Sequence, residues 1–272
     1  MSQSDLQGIR RNVLGVLVTA IDPGRAVAEV IDAAHMRRPF TVTATAVHGL
    51  MVGVEDPRHR YRLNSFDMVL PDGQPVRWAL NLLHGCRLQE RVAGPDFMWH
   101  VCDAAARRHL PVYFFGSTAG TLRALSERLQ QQMPALRIAG CSPSAFRVVS
   151  RTEMEATAQT IRASGAAVVF VGLGCPRQEV WAWENRALLN MPLLAVGAAF
   201  DIHAGLVPRA PAVLGRLGLE WVFRLTLEPR RLWRRYLRRN PRFLALLALQ
   251  ATGMRRFDPL SATPHTDEVR FG

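Results

Sequence analysis

The chain has 272 residues, 49% of them hydrophobic, and a formal net charge of +12 in which every Lys or Arg position is arginine. This composition excludes global disorder, a Schiff-base lysine and a Walker A phosphate loop. The excess of arginine predicts an anionic partner: nucleic acid, an acidic membrane surface or a phosphorylated substrate. The four cysteines lack CxxC spacing and predict reduced thiols, and we expect neither a signal peptide nor a membrane-spanning helix.

Short apolar runs alternate with helical patterns along most of the chain. The predicted strands are residues 13–19, 40–46, 68–70, 112–115, 136–139, 167–173 and 193–198. The predicted helices are residues 23–34, a segment that starts near Pro75, and residues 96–108, 122–132, 152–163 and 177–189. Thr152 and Glu155 are predicted to form a capping box. The alternation predicts an α/β fold with a mostly parallel sheet and helices on both faces.

A tight turn between a predicted strand and a predicted helix carries Asp72. The apolar run stops at Pro71-Asp72-Gly73, and the helical pattern then starts near Pro75. Ligands of open α/β sheets bind at this edge, beyond the carboxyl ends of the strands. Since Arg91 follows in a second turn-rich segment, we expect a carboxylate base beside a guanidinium that holds an anion. A plain turn residue is an equally good explanation of Asp72 from the sequence alone.

Glycine-rich turns follow three predicted strands, at Gly73, at Gly116, and at Gly172 and Gly174. Such turns let backbone N–H groups approach a phosphate at a helix start. None of them matches a dinucleotide fingerprint or a P-loop, and each one alone is more simply a structural turn. Gln178, at the start of the next helix, lacks such a structural explanation and is the more interesting candidate.

Metal-ligand spacing is not found in the sequence. The Asp201-Ile202-His203 segment has suitable chemistry but no third ligand near it in the chain. The chain also lacks an Asp-x-Asp pair that would hold a divalent ion on a diphosphate. We therefore expect no metal and no cofactor, and phosphate chemistry that relies on arginine and backbone dipoles.

A basic amphipathic segment follows the last predicted strand. Residues 219–242 interleave arginines with Trp, Tyr and Leu, a pattern that suits an anionic bilayer surface better than nucleic acid. Pro229 and Pro241 are each predicted to start a short helix, the second with Asn240 as its N-cap. The predicted domains are an α/β core at 1–211, a membrane-binding helical appendage at 212–255 and a disordered tail at 256–272.

Seven segments, taken in order, resemble the WecG/TagA/CpsF glycosyltransferase family, also called glycosyltransferase family 26. They are VTAT at 42–45, LPDGQPVRWA at 70–79, ERVAGPDFM at 90–98, VYFFGS at 112–117, VGLGCPRQEVW at 171–181, VGAAFDIHAGLVPRAP at 196–211 and LEWVFRLTLEPRRLWRRYL at 219–237. The resemblance implies a Rossmann-like core and an inverting, metal-independent hexosyltransferase of cell-surface polysaccharide synthesis. Its donor would be a UDP-sugar carrying ManNAc, ManNAc uronic acid or glucose, bound as a substrate. Its acceptor would be a polyprenyl-diphosphate-linked saccharide.

The same resemblance implies a location and a set of site residues. The location would be the cytoplasmic face of the cytoplasmic membrane, with peripheral attachment to anionic lipid. Asp72 would be the catalytic base. The residues that would contact the substrates are Thr43, Arg91, Gln178, Arg224, Arg231 and Arg234, with the glycines Gly116, Gly172 and Gly174 in the adjoining turns.

Two positions depart from the family pattern. Thr45 and Pro75 stand where the family often has Asn and Gly, so the resemblance leaves the acceptor contacts and the exact sugar open. One rival function is an arginine-rich nucleic-acid-binding α/β protein without catalysis, although no nucleic-acid-binding motif supports it. The other is a nucleotide-dependent oxidoreductase, which the broken glycine fingerprint opposes.

Overall fold

A six-stranded parallel sheet lies at the centre of the molecule in a computed structural model that describes residues 3–261 and 271–272. An antiparallel pair of strands precedes it: β1 (Arg10–Val13) and β2 (Val16–Thr19). The strands of the parallel sheet are β3 (Phe40–Thr45), β4 (Met68–Pro71), β5 (Val112–Gly116), β6 (Ile138–Ser142), β7 (Val168–Gly172) and β8 (Pro192–Ala195). Their order in space is β4-β3-β8-β7-β5-β6.

Helices cover both faces of this sheet, so the predicted α/β class is confirmed. The helices before β8 are α1 (Gln3–Gly8), α2 (Pro23–His35), α3 (Val47–Glu55), α4 (Pro57–Asn64), α5 (Gln74–His84), α6 (Gly94–Arg107), α7 (Ala119–Gln132), α8 (Arg151–Ala163) and α9 (Arg177–Asn185). Those after β8 are α10 (Ala199–His203), α11 (Ala212–Arg216), α12 (Glu220–Leu227) and α13 (Pro229–Ala251).

Two apolar layers lie on opposite faces of the sheet, because successive strand residues point to opposite sides. In β7, for example, Val168 and Phe170 pack into one layer while Val169 and Val171 pack into the other. Burial on both faces explains why the strands read as continuous apolar runs in the sequence. The rigid centre fixes the loops that leave its carboxyl edge.

The first predicted strand, residues 13–19, covers the end of β1, the turn and all of β2 in a β-hairpin. Leu14 and Gly15 form its turn with φ values of 54° and 88°. A two-residue turn with both φ values positive matches the right-handed twist of the flanking strands. The sequence prediction was wrong here because Leu14 is an apolar residue that rarely adopts a left-handed conformation.

The capping box of α8 lies two residues earlier than predicted. Ser150 is the N-cap, its side chain accepts from the Glu153 N–H, and the Glu153 carboxylate accepts in return from the Ser150 N–H at 2.8 Å. The Thr152 and Glu155 pair has the same spacing, so the sequence motif alone could not choose between the two registers.

Pro229 begins a helix as predicted, but Pro241 lies inside α13 and Asn240 is not an N-cap. An internal proline costs a helix about 3 kcal/mol. Phe243, Leu246 and Leu247 are buried after it, in the same apolar layer as β7 side chains. Each contributes roughly 1.5–3 kcal/mol on burial, so their packing outweighs the proline.

The C-terminal residues that the structure describes also contact the core, which corrects part of the predicted disordered tail. The side chain of Asn12 donates to the carbonyl of Phe257 at 2.6 Å, and that of Asn64 donates to the carbonyl of Pro259 at 3.1 Å. Phe271 pairs with Val148 as an isolated bridge. Residues 262–270 of the predicted tail lie outside the described residues.

Candidate active site

A cavity of about 480 Å³ opens at the carboxyl edge of the parallel sheet. Its floor is formed by residues that follow neighbouring strands: Ala46 after β3, Asp72 after β4, Leu173 after β7 and Val196 after β8. Helix α12 and the middle of α13 form another wall, through Trp221, Arg224 and Tyr236 among others. This edge is where open α/β sheets bind their ligands.

Asp72 lies in the turn between β4 and α5, as the sequence predicts. Its Oδ1 accepts a hydrogen bond from the Gly94 N–H at 3.1 Å, and its carbonyl oxygen accepts from Arg91 Nη1 at 2.9 Å. Its side chain remains 25% exposed towards the cavity. Burial raises the pKa of Asp72 above its usual range and the nearby Glu220 adds to the effect, while Arg91, Gly94 and Arg224 oppose it. Asp72 is therefore a stronger proton acceptor than an ordinary aspartate.

Arg91 and Arg224 are two of the three arginines that line the cavity among the described residues, the third being Arg177. The Nη1 atom of Arg91 lies 3.9 Å from Asp72 Oδ1, and Nη2 forms an ion pair with the Glu220 carboxylate at the start of α12. Arg224, one turn further along α12, has a buried Nε without a hydrogen-bond partner among the described residues. An unsatisfied buried guanidinium N–H is costly unless an acceptor occupies the site, so this wall suits an anion.

Gln178 and Glu179 enter the cavity at the start of α9, after the cis peptide bond between Cys175 and Pro176. The Gln178 Nε2 donates to Glu179 Oε1 at 2.9 Å, whereas its own Oε1 is buried without a partner among the described residues. The Gly197 backbone, with φ of 50°, allows this close approach, because a Cβ there would lie 2.8 Å from Gln178 Oε1. The carboxamide of Gln178 therefore packs against the Gly197 backbone and is oriented by its hydrogen bond to Glu179.

Of the residues predicted for the site, six line the cavity together: Asp72, Arg91, Gly172, Gly174, Gln178 and Arg224. The side chain of Arg231 lies outside the part of the chain that the structure describes.

Three predicted site residues do not line the cavity. Thr43 is fully buried behind it and donates to Glu179 Oε1 at 3.0 Å, so it supports a lining residue. Gly116 packs on the next strand, where a Cβ would lie 2.9 Å from the Gly172 carbonyl carbon. Arg234 is exposed, with its guanidinium 5.2 Å from the Trp233 ring centre. A helical pattern does not show which face of α13 meets the core, so the sequence could not orient Arg234.

The sequence reasoning missed Glu220, which pairs with Arg91 across the cavity. A carboxylate at the start of a helix is the signal in the sequence that could have identified it. In the Asp201-Ile202-His203 segment, the histidine makes contacts that stabilise the fold. His203 Nε2 contacts the carbonyl of Pro95 at 2.9 Å, and its ring stacks on Trp99.

Comparison with known proteins shows which family the chain matches. The model described as "Glycosyl transferase WecG/TagA/CpsF family" matches residues 11–257. A protein of Bacillus spizizenii named N-acetylglucosaminyldiphosphoundecaprenol N-acetyl-beta-D-mannosaminyltransferase is 33% identical over 233 residues, covering 85% of this chain and 84% of that protein. A protein of the same name from Bacillus subtilis is 30% identical over 208 residues, covering 76% of this chain and 78% of that protein.

Among the described residues, the helices are too short or too polar to cross a bilayer.

Proposed function

Because the chain belongs to the WecG/TagA/CpsF family of glycosyltransferases, we propose that it transfers N-acetylmannosamine from a UDP-sugar to a polyprenyl-diphosphate-linked N-acetylglucosamine. The names of the two Bacillus relatives support this choice of sugar and acceptor. The observation that carries the proposal is the convergence of Asp72, Arg91, Gln178 and Arg224 in one cavity at the carboxyl edge of the sheet. The product would serve the synthesis of a cell-surface polysaccharide.

Asp72 would act as the general base. Its carboxylate takes the proton of an acceptor hydroxyl as that oxygen attacks the anomeric carbon of the donor. The bond from this carbon to the UDP oxygen breaks on the opposite side, so the anomeric configuration inverts. The hydrogen bond from Gly94 to Oδ1 fixes the carboxylate and leaves Oδ2 to face the incoming hydroxyl.

The arginines would stabilise the negative charge that develops on the departing UDP. In the structure Arg91 is paired with Glu220, so a diphosphate that binds Arg91 exchanges one anionic partner for another. Arg224 offers an N–H that lacks an acceptor in its present surroundings. Two guanidinium groups in a partly buried site can provide the charge stabilisation that a divalent ion supplies in other transferases. We therefore propose that the diphosphate is held without a metal ion.

Helices α12 and α13 would dock on the inner face of the cytoplasmic membrane, where the lipid-linked acceptor is available. Val222, Leu227, Trp233 and Leu237 are exposed apolar residues on these helices. Exposed arginines lie among them at positions 230, 234 and 238. Apolar side chains interleaved with arginine suit the surface of an anionic bilayer.

Ion pairs attach α13 to the core. Glu55 of α3 pairs with Arg239 at 3.0 Å and with Arg242 at 2.9 Å. Because α13 also lines the cavity, a movement of this helix on the membrane would change the shape of the cavity.

The double variant Trp233→Ser, Leu237→Ser is expected to bind vesicles of anionic lipid at least about tenfold more weakly than the wild type. Each substitution removes part of the binding free energy, because burial of the original apolar side chain in the bilayer interface contributes roughly 1.5–3 kcal/mol. Vesicle co-sedimentation measures the change. Met36→Ser, which alters an exposed apolar residue outside α12 and α13, is the matched control and should bind normally. Equal binding by the double variant and the wild type would refute this docking surface.

The activity itself is tested by following UDP release from UDP-N-acetylmannosamine in the presence of a short-chain lipid-diphosphate-N-acetylglucosamine. The proposal predicts release that depends on the acceptor and yields a disaccharide lipid. UDP-glucose and the uronic acid donor, tested in parallel, identify the sugar. Release from another donor but not from UDP-N-acetylmannosamine would contradict the proposed sugar, and failure of all three donors with this acceptor would contradict the proposed reaction.

A further inference from the structure

A second cluster of polar side chains lies beside the cavity, outside the groups that the proposed transfer uses. It consists of His59 on α4, Cys175 in the loop between β7 and α9, and Glu179 on α9. One potential ligand atom from each of the three side chains lies within 4.8 Å of the others. His59 is distant in the chain from Cys175 and Glu179, which is why the spacing of residues in the sequence did not reveal the cluster.

The buried polar atoms of this cluster are under-satisfied. His59 is 1% exposed, and neither of its ring nitrogens has a hydrogen-bond partner among the described residues. Glu179 is 2% exposed, and its Oε2 also lacks a partner among those residues. Leaving such a group unpaired costs about 1–3 kcal/mol. Because potential ligand atoms of His59, Cys175 and Glu179 lie within 4.8 Å of one another, one shared partner could satisfy the unpaired groups of His59 and Glu179.

Neighbouring groups orient Glu179 as they would orient a metal ligand. Thr43 and the Gln178 carboxamide both donate to Oε1, which leaves Oε2 available. Hydrogen bonds of this kind to the outer side of a ligand are a regular feature of metal sites.

The geometry points to a zinc site: we propose that His59, Cys175 and Glu179 bind one zinc ion, with a fourth position open to the cavity. Thiolate and imidazole ligands favour zinc over magnesium or manganese, and zinc accepts a carboxylate as well. One thiolate, one carboxylate and a neutral imidazole would balance the ion's two positive charges in a buried place. Cys175 and Glu179 both line the cavity, which gives the ion an entry path.

The proposed ion would join α4 to the loop between β7 and α9 and to the start of α9, which carries Gln178. Ligand bonds of about 2.0–2.3 Å at tetrahedral angles bring ligand atoms closer together than 4.8 Å, so binding requires a modest contraction of the three side chains. The thiol of Cys175 gives up its proton to solvent as the metal–sulfur bond forms. Such a site is separate from the arginines proposed for the diphosphate.

The test uses the full chain without an affinity tag, freed of metal by a chelator and titrated with Co²⁺ as a spectroscopic substitute for zinc. The expected result is one Co²⁺ bound per chain with a thiolate-to-cobalt charge-transfer band in the near ultraviolet, abolished by competing Zn²⁺. Cys175→Ser should remove the band, whereas Cys141→Ser, which alters an exposed thiol elsewhere, should keep it.

Thr43→Val gives a finer test, because it removes a hydrogen bond to Glu179 without removing a ligand. It should weaken Co²⁺ binding by about 10–100-fold while the band persists. Thermal melting of each metal-free variant identifies any variant that fails to fold. Co²⁺ binding is then compared between the wild type and the variants that fold. The absence of the band in the folded wild type, or a band unchanged in Cys175→Ser, would overturn the zinc site.

Discussion

Replacing Asp72 with Asn is expected to lower the turnover number by about 10²–10⁴-fold, the usual contribution of a general base, while the affinity for the UDP-sugar stays close to that of the wild type. The amide is nearly isosteric with the carboxylate and its oxygen can still accept from the Gly94 N–H. Only the capacity to take a proton is lost. Single-turnover rates and donor titrations, measured on the same preparation, separate the two effects.

The pH profile provides the signature of this role. A base must be deprotonated to act, so kcat/KM should fall as the pH decreases through the pKa of Asp72. Because burial raises that pKa, the fall should begin at a higher pH than for an ordinary aspartate. The Asn variant should lose this acidic limb. Asp103→Asn, which alters an exposed carboxylate paired with Arg107 on α6, should retain both rate and limb. Near-normal turnover in Asp72→Asn would remove Asp72 from the role.

Replacing Arg91 with Met is expected to lower kcat/KM by about 10²–10³-fold, comparable to the loss of one donor from an oxyanion site. Arg91 contacts Asp72 through its carbonyl, lies near its carboxylate and pairs with Glu220. Its loss removes a positive charge from the diphosphate site. It also leaves two carboxylates facing each other, which should raise the pKa of Asp72 further and shift the acidic limb of the pH profile upwards.

A second variant separates these effects. Adding Glu220→Gln to Arg91→Met removes the repelling carboxylate, so the acidic limb should return towards its wild-type position while the loss of rate remains. Arg91→Lys keeps the charge but loses the planar two-pronged contact, and should recover only part of the activity. Arg87→Met changes an exposed arginine in the same loop and should behave like the wild type. An Arg91→Met enzyme with normal kcat/KM would contradict the proposed role.

The place of Asp72 was predictable because it depends on local signals. An apolar strand, a Pro-Asp-Gly breaker and a proline in the first turn of a helix together fix the turn at the sheet edge. The α/β class was predictable for a related reason, since strands buried on both faces must be apolar throughout. These features follow from neighbours in the chain.

The features that the sequence did not reveal depend on packing between distant elements. The pairing of Arg91 with Glu220 requires the docking of α12 over the sheet edge. The continuation of α13 through Pro241 requires the burial of Phe243 against the core. Thr43 lies behind Glu179 because α9 covers β3, which no spacing in the chain encodes. Each outcome is decided by a tertiary contact that overrides a local preference.

The most direct measurement of the central claim is acceptor-dependent UDP release by metal-depleted enzyme in EDTA, compared with the same enzyme after addition of excess Mn²⁺. If Asp72 supplies the base and arginines hold the diphosphate, the two rates should agree and the product should be the inverted glycoside. A rate that is absent in EDTA, restored by Mn²⁺ and not restored by one equivalent of Zn²⁺ would show that a divalent ion does what we assign to the guanidinium groups.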